Sequence, residues 1–69
     1  MKYEAEFPNS SMLASCSYDD KTQELTVWFR NSKDYTYVDV DKSIFEAMRD
    51  SNSVGKYFNS IKSTLKQKT

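Results

Sequence analysis

Six residues carry most of the chemistry this sequence offers: the aromatics Trp28, Tyr35 and Tyr37, and the later polar residues Lys56, Asn59 and Lys62. Aromatic rings presented on a sheet can stack bases or anchor a protein partner. Lys56 and Asn59 follow Ser53-Val54-Gly55, which reads as a capped helix start. Free backbone N–H groups beside a lysine favour an anion such as a phosphate there. Lys62 falls one turn beyond Asn59 and extends the same patch. The groups that usually catalyse are missing. With no histidine, ordinary Ser/His and Cys/His nucleophile systems are excluded. Gly55 is the single glycine, so no glycine-rich loop can cradle a phosphate. Asp19-Asp20 reads as a pair of solvated turn formers without converging partners for a metal. Cys16 is the single cysteine, which rules out an internal disulfide and, without histidine, a Cys/His zinc site. The expectation is a binding domain that needs no cofactor or metal and is not an enzyme.

Three strand signals must position the aromatics. Met12, Ala14, Cys16 and Tyr18 alternate with Leu13, Ser15 and Ser17. Cys16 in this run reads as a buried free thiol. After the polar break 19–23, Leu25, Val27 and Phe29 alternate with Thr26, Trp28 and Arg30, the clearest period of two in the chain. Asn31-Ser32-Lys33-Asp34 is a second turn, and Tyr35-Thr36-Tyr37-Val38-Asp39-Val40 a third strand. Two registers are open between the second and third strands. A two-residue turn at Asn31-Ser32 opposes Trp28 to Tyr35 and Thr26 to Tyr37, which puts Trp28 and both tyrosines on one platform. A three-residue loop opposes Phe29 to Tyr35 and Val27 to Tyr37, which sends the tyrosines to the core face and leaves Trp28 outside. A slip of one residue exchanges the faces, so the register separates two kinds of site.

The period then becomes helical. Ile44, Phe45, Ala47 and Met48 mark a helix within 41–50, capped by Asp39 or Asp41. Ser51-Asn52-Ser53 breaks it, and Val54, Tyr57, Phe58, Ile61 and Leu65 mark a second helix to about Lys66. The sequence thus predicts an α+β domain, a three-stranded antiparallel meander followed by two helices (β-β-β-α-α) packed on one face of the sheet. Residues 1–9 read as a lead-in, 10–66 as the domain and 67–69 as a tail. A chain of 69 residues makes one domain and buries roughly 60% of its unfolded surface, so its core is thin.

Formal net charge is zero, but it is polarised. Residues 1–40 carry four cations (Lys2, Lys21, Arg30, Lys33) against seven acids (Glu4, Glu6, Asp19, Asp20, Glu24, Asp34, Asp39). Residues 51–69 carry Lys56, Lys62, Lys66 and Lys68 and no acid. Zero net charge argues against strong nucleic-acid binding of the sequence-independent kind, while the polarity suits contacts with a protein partner or a second copy. No run approaches the roughly 18 apolar residues of a membrane span. Met1–Phe7 lacks the apolar core of a signal peptide. An unpaired cysteine fits a reducing compartment, so a cytoplasmic location is expected.

Four segments in order, Ser10-Ser11-Met12-Leu13-Ala14-Ser15-Cys16-Ser17-Tyr18-Asp19, Leu25-Thr26-Val27-Trp28-Phe29-Arg30-Asn31, Tyr35-Thr36-Tyr37 and Ser53-Val54-Gly55-Lys56-Tyr57-Phe58-Asn59, resemble the KTSC domain. The resemblance covers about residues 10–65. That family is named for its occurrence at the C-terminus of some lysyl-tRNA synthetases and also occurs as stand-alone small bacterial and phage proteins. The synthetase context implies RNA as one class of ligand. Tyr35 and Tyr37 match the family's central Tyr-x-Tyr, which implies a role in fold or binding. The chain departs from the pattern at Ser32, where glycine is frequent, and at Asp41, where proline is frequent. Two functions follow as expectations. The first is a protein-interaction or oligomerisation module, as a bacterial or phage accessory protein. The alternative is an RNA-binding module in which Trp28, Tyr35 and Tyr37 stack bases and Lys56 and Lys62 contact phosphates.

Overall fold

The alternation of Leu25, Val27 and Phe29 with Thr26 and Trp28 forms the central strand of the sheet in the computed structural model of the protein, which describes residues 1–68. Among the described residues the elements are β1 (Lys2–Glu6), β2 (Leu13–Asp19), β3 (Glu24–Phe29), β4 (Asp34–Val38), α1 (Lys42–Asp50), α2 (Val54–Ile61), a 3₁₀ turn (Lys62–Thr64) and β5 (Lys66–Gln67). The five strands lie side by side in the order β1-β2-β3-β4-β5, every neighbouring pair antiparallel. The fold is therefore α+β, with strands preceding helices, but the sheet has five strands where the sequence predicts three.

Both added strands are at the edges. The segment 1–9, expected as a lead-in, contains β1, which pairs with β2 from Lys2↔Asp19 to Glu6↔Ser15. Tyr3 and Ala5 face the core while Lys2, Glu4 and Glu6 face solvent. Charged residues on an edge strand are what keeps such an edge from pairing indiscriminately, and they also mask the strand in a hydropathy pattern. β5 includes Gln67 of the expected 67–69 tail and pairs with β4 through Tyr37↔Gln67 and Val38↔Lys66. Thr69 lies outside the described residues. The second helix stops at Ile61 rather than near Lys66. The hydroxyls of Ser60 and Thr64 bond back to the carbonyls of Tyr57 and Ile61, each at 2.6 Å. Such bonds compete with helix continuation, and the chain turns so that Leu65 still packs on the core from extended backbone.

Both helices cover the same face. Phe45 of α1 packs on the rings of Tyr18 and Tyr3 at the β1–β2 side, and Phe58 of α2 packs on Phe29 and Tyr37 at the β3–β4 side. Between them lie buried Leu13, Cys16, Leu25, Val27, Val40, Met48 and Val54. Burial pushes the Cys16 thiol up to about 12, so it is an inert member of the core. The Tyr18 hydroxyl donates to the Val40 carbonyl at 2.6 Å, and burial raises its ionisation above the usual phenol range. Asp41 caps α1, accepting from the Ser43 hydroxyl at 2.6 Å and its N–H at 3.1 Å, which holds its carboxyl below the usual range. Arg30 braces the loop between β1 and β2, donating to the carbonyls of Phe7 (2.8 Å) and Ser10 (3.0 Å).

The turn between β3 and β4 fixes the register. Arg30, Asn31 and Ser32 form a three-residue loop closed by the Phe29 N–H donating to the Lys33 carbonyl at 2.8 Å. Ser32 takes a left-handed conformation (φ 70), the position where such a loop prefers glycine. We predict that Ser32→Gly raises stability by about 0.5–1 kcal/mol, because glycine adopts this conformation without a Cβ penalty. Chemical denaturation of the two proteins measures it, and a destabilised variant would contradict the turn assignment.

Candidate functional site

The register of β3 and β4 decides which candidate residues meet. The pairs are Leu25↔Tyr37, Thr26↔Thr36, Val27↔Tyr35 and Trp28↔Asp34. Neither register weighed from the sequence has these pairs, because the loop begins one residue earlier than the three-residue reading placed it. The faces are nevertheless those of that reading: directly opposed residues share a face, so Tyr35 and Tyr37 join Val27 and Leu25 on the helix side. Trp28 points to the opposite, uncovered face. The single platform of Trp28, Tyr35 and Tyr37 does not form.

Tyr37 is only 6% exposed, against 41% for Trp28. Its ring meets Phe58 edge-on at 5.8 Å, and Tyr35 meets Phe29 edge-on at 5.6 Å. Edge-to-face packing of this kind uses the ring faces within the core. Burial, then the neighbouring Tyr35, raises the ionisation of the Tyr37 phenol, which stays a neutral donor at physiological pH. Among the described residues neither hydroxyl has a hydrogen-bond partner, and both tyrosines line an open cleft of about 470 Å³.

That cleft lies between β3–β4 and α2. Its apolar side is formed by Met12, Phe29, Phe58 and the two tyrosines, and its polar side by Asn31, Asn59, Gln67, Lys33 and Lys62. Four of the six candidate residues, Tyr35, Tyr37, Asn59 and Lys62, therefore converge. The lining holds two lysines and no carboxylate. Lys33, contributed by the turn, was not picked out from the sequence; its place depends on the same register. Lys56 lines an adjoining cleft of about 540 Å³ with Arg49, the start of α2 and the 6–12 loop, and Asn59 and Met12 border both clefts. Among the described residues none of Lys33, Lys56 and Lys62 is in an ion pair. Ser53 begins α2 without a side-chain cap; the Ser51 hydroxyl instead accepts from the Ser53 N–H at 3.1 Å. A Cβ added at Gly55 would meet Met12 at 3.7 Å, an ordinary contact, so close packing does not demand glycine there.

A five-stranded antiparallel sheet backed on one face by two helices, with a basic cleft beside the second, defines the class of domain. The model of the KTSC domain matches residues 9–63, and the chain belongs to that family. The crystal structure of the KTSC domain protein YPO2434 from Yersinia pestis has the same fold: TM-score 0.87 at 23% identity, covering 100% of this chain and 97% of that one. The structural match runs through β1, which the family model omits. No curated protein matches the sequence. Among the described residues no helix is long and apolar enough to cross a membrane.

The split of the aromatics has a direct consequence for stability. Tyr37→Ala should cost about 3–5 kcal/mol, as large buried aromatics do when truncated, which is most of the stability of a small domain. Trp28→Ala should change stability by about 0.5 kcal/mol or less, as surface substitutions do. Thermal denaturation of both variants checks this, and equal losses would contradict the assignment of faces.

Proposed function

We propose that the protein is a non-catalytic interaction module of the cytoplasm that receives an acidic segment of a partner protein in the cleft beside α2. The observation that carries this reading is the cleft lining: an aromatic interior rimmed by Lys33 and Lys62 with no carboxylate. Asn31, Asn59 and Gln67 add amide groups, and the phenols of Tyr35 and Tyr37 are free to donate, so a carboxylate-bearing chain would find cations and neutral donors together. The buried free thiol of Cys16 suits a reducing compartment.

RNA binding is the second reading, favoured by Lys33, Lys56 and Lys62, whose charges are not spent on internal ion pairs. It is weakened by the fate of the platform. The rings of Tyr35 and Tyr37 are packed edge-on in the core, and Trp28 sits on another face, so the stacking that single-stranded recognition relies on is not assembled.

Fluorescence polarisation of a labelled Glu-rich peptide and of a labelled single-stranded RNA, each titrated with the full chain at low salt, distinguishes the two. The peptide should bind, and Lys33→Glu combined with Lys62→Glu should weaken it roughly tenfold or more. Binding of the RNA with a steep salt dependence, and none of the peptide, would replace this reading with the second.

A further inference from the structure

The face of the sheet away from the helices is uncovered, and its cross-strand rows can be read from the pairing. Glu6 opposes Ser15, Ser15 opposes Trp28, and Trp28 opposes Asp34, a single row across β1 to β4. The next row is Glu4, Ser17, Thr26 and Thr36. Trp28 is thus an exposed indole on the central strand. Its direct neighbours, Ser15 and Asp34, are short, which leaves the ring open, and carboxylates stand at both ends of its row. The hydroxyls of Thr26 and Thr36 satisfy one another at 3.1 Å. The cation two residues on, Arg30 at the start of the loop after β3, is committed to the carbonyls of Phe7 and Ser10. The face already takes one amine of the chain itself: Lys68, beside Thr36, is held on Glu24 at 3.0 Å.

We propose that this face, at Trp28 between Glu6 and Asp34, docks an extended segment of a partner protein that carries lysine or arginine. The surface is separate from the cleft beside α2 and independent of what the cleft takes. An ammonium or guanidinium over an indole face is attracted by the ring, and Asp34 lies one strand spacing away to pair with it. From Asp34 to Glu6 is three strand spacings, roughly 14 Å. That matches two side chains four residues apart on one side of an extended peptide, at about 3.4 Å per residue. The pattern fitted is therefore a cation, three residues, and a second cation. Phosphates would be repelled by the same two carboxylates, so this surface selects against nucleic acid.

Trp28 is the single tryptophan, so its emission reports on this surface alone. The full chain is titrated at low salt with a capped Lys-Thr-Ser-Thr-Lys peptide and with the same peptide acetylated on both lysines. The lysine peptide should change Trp28 emission saturably, and the acetylated one should not. Glu6→Gln with Asp34→Asn, both at exposed sites, should weaken binding about three- to tenfold while leaving the circular dichroism spectrum unchanged. Raising the salt should weaken it as well. The proposal is overturned if the lysine peptide leaves Trp28 emission unchanged, or if the acetylated peptide acts equally. It is also overturned if emission follows protein concentration alone, which would mean that a second copy covers the face.

Discussion

Left-handed backbone at Ser32 (φ 70) sets the alignment on which the two faces of this domain depend. Placing a residue with a Cβ there costs on the order of 1–2 kcal/mol. Local bonds hold the loop against that cost: Phe29 N–H to the Lys33 carbonyl at 2.8 Å, Ser32 N–H to the Phe29 carbonyl at 3.2 Å, and Lys33 N–H to the Asn31 side chain at 3.2 Å. Beyond the loop, the register buries Val27, Leu25 and Tyr37 together. Burying each such side chain is worth about 1.5–3 kcal/mol, so the sum exceeds the strain at one residue. A shift of β4 by one position would turn Tyr37 out to the solvent face beside Trp28 and remove its ring from Phe58.

The same alignment divides the charge. On the helix side, β4 delivers its tyrosines to a cleft whose rim is lysine and amide. On the bare side, strand alternation brings Glu4, Glu6, Glu24 and Asp34 to the surface with Trp28 among them. Formal neutrality thus hides a local division of charge, lysines at the cleft and carboxylates about Trp28, although Lys2, Lys66 and Lys68 share the bare face with those acids. Of the late lysines, Lys56 and Lys62 sit beside α2, while Lys66 and Lys68 return through β5 to the face that carries the early acids, where Lys68 pairs with Glu24.

Much of this was legible before the structure, for identifiable reasons. β3 and α1 announce themselves because apolar residues recur at periods of 2 and 3.6. β2 alternates as expected only from Ser15 onward, because a bulge between Leu13 and Ser15 brings Leu13, expected on the opposite face, into the core with Cys16 and Tyr18. β1 does alternate, with Tyr3, Ala5 and Phe7 between Lys2, Glu4 and Glu6, but its solvent face is wholly charged and its inward residues Tyr3 and Ala5 are only half-buried. β5 is two exposed residues and leaves no pattern. Leu65 continues the helical spacing of α2 even though the helix ends at Ile61, where the hydroxyls of Ser60 and Thr64 bond back to the chain. Four of the six candidate residues meet because Tyr-x-Tyr and the α2 motif pack on the same side of the sheet. Trp28 was separable from them only through the turn, and Asn31-Ser32-Lys33 contains no glycine to mark its left-handed position.

The central claim is that β3 and β4 pair so that Trp28 and the two tyrosines face opposite ways. Cross-strand nuclear Overhauser effects in the isotope-labelled protein test it most directly. Contacts from Trp28 to Asp34 and from Val27 to Tyr35 are predicted, with the Tyr37 ring close to Phe58. Contacts between the Trp28 indole and the Tyr35 ring would contradict the register, and with it the separation of the two surfaces.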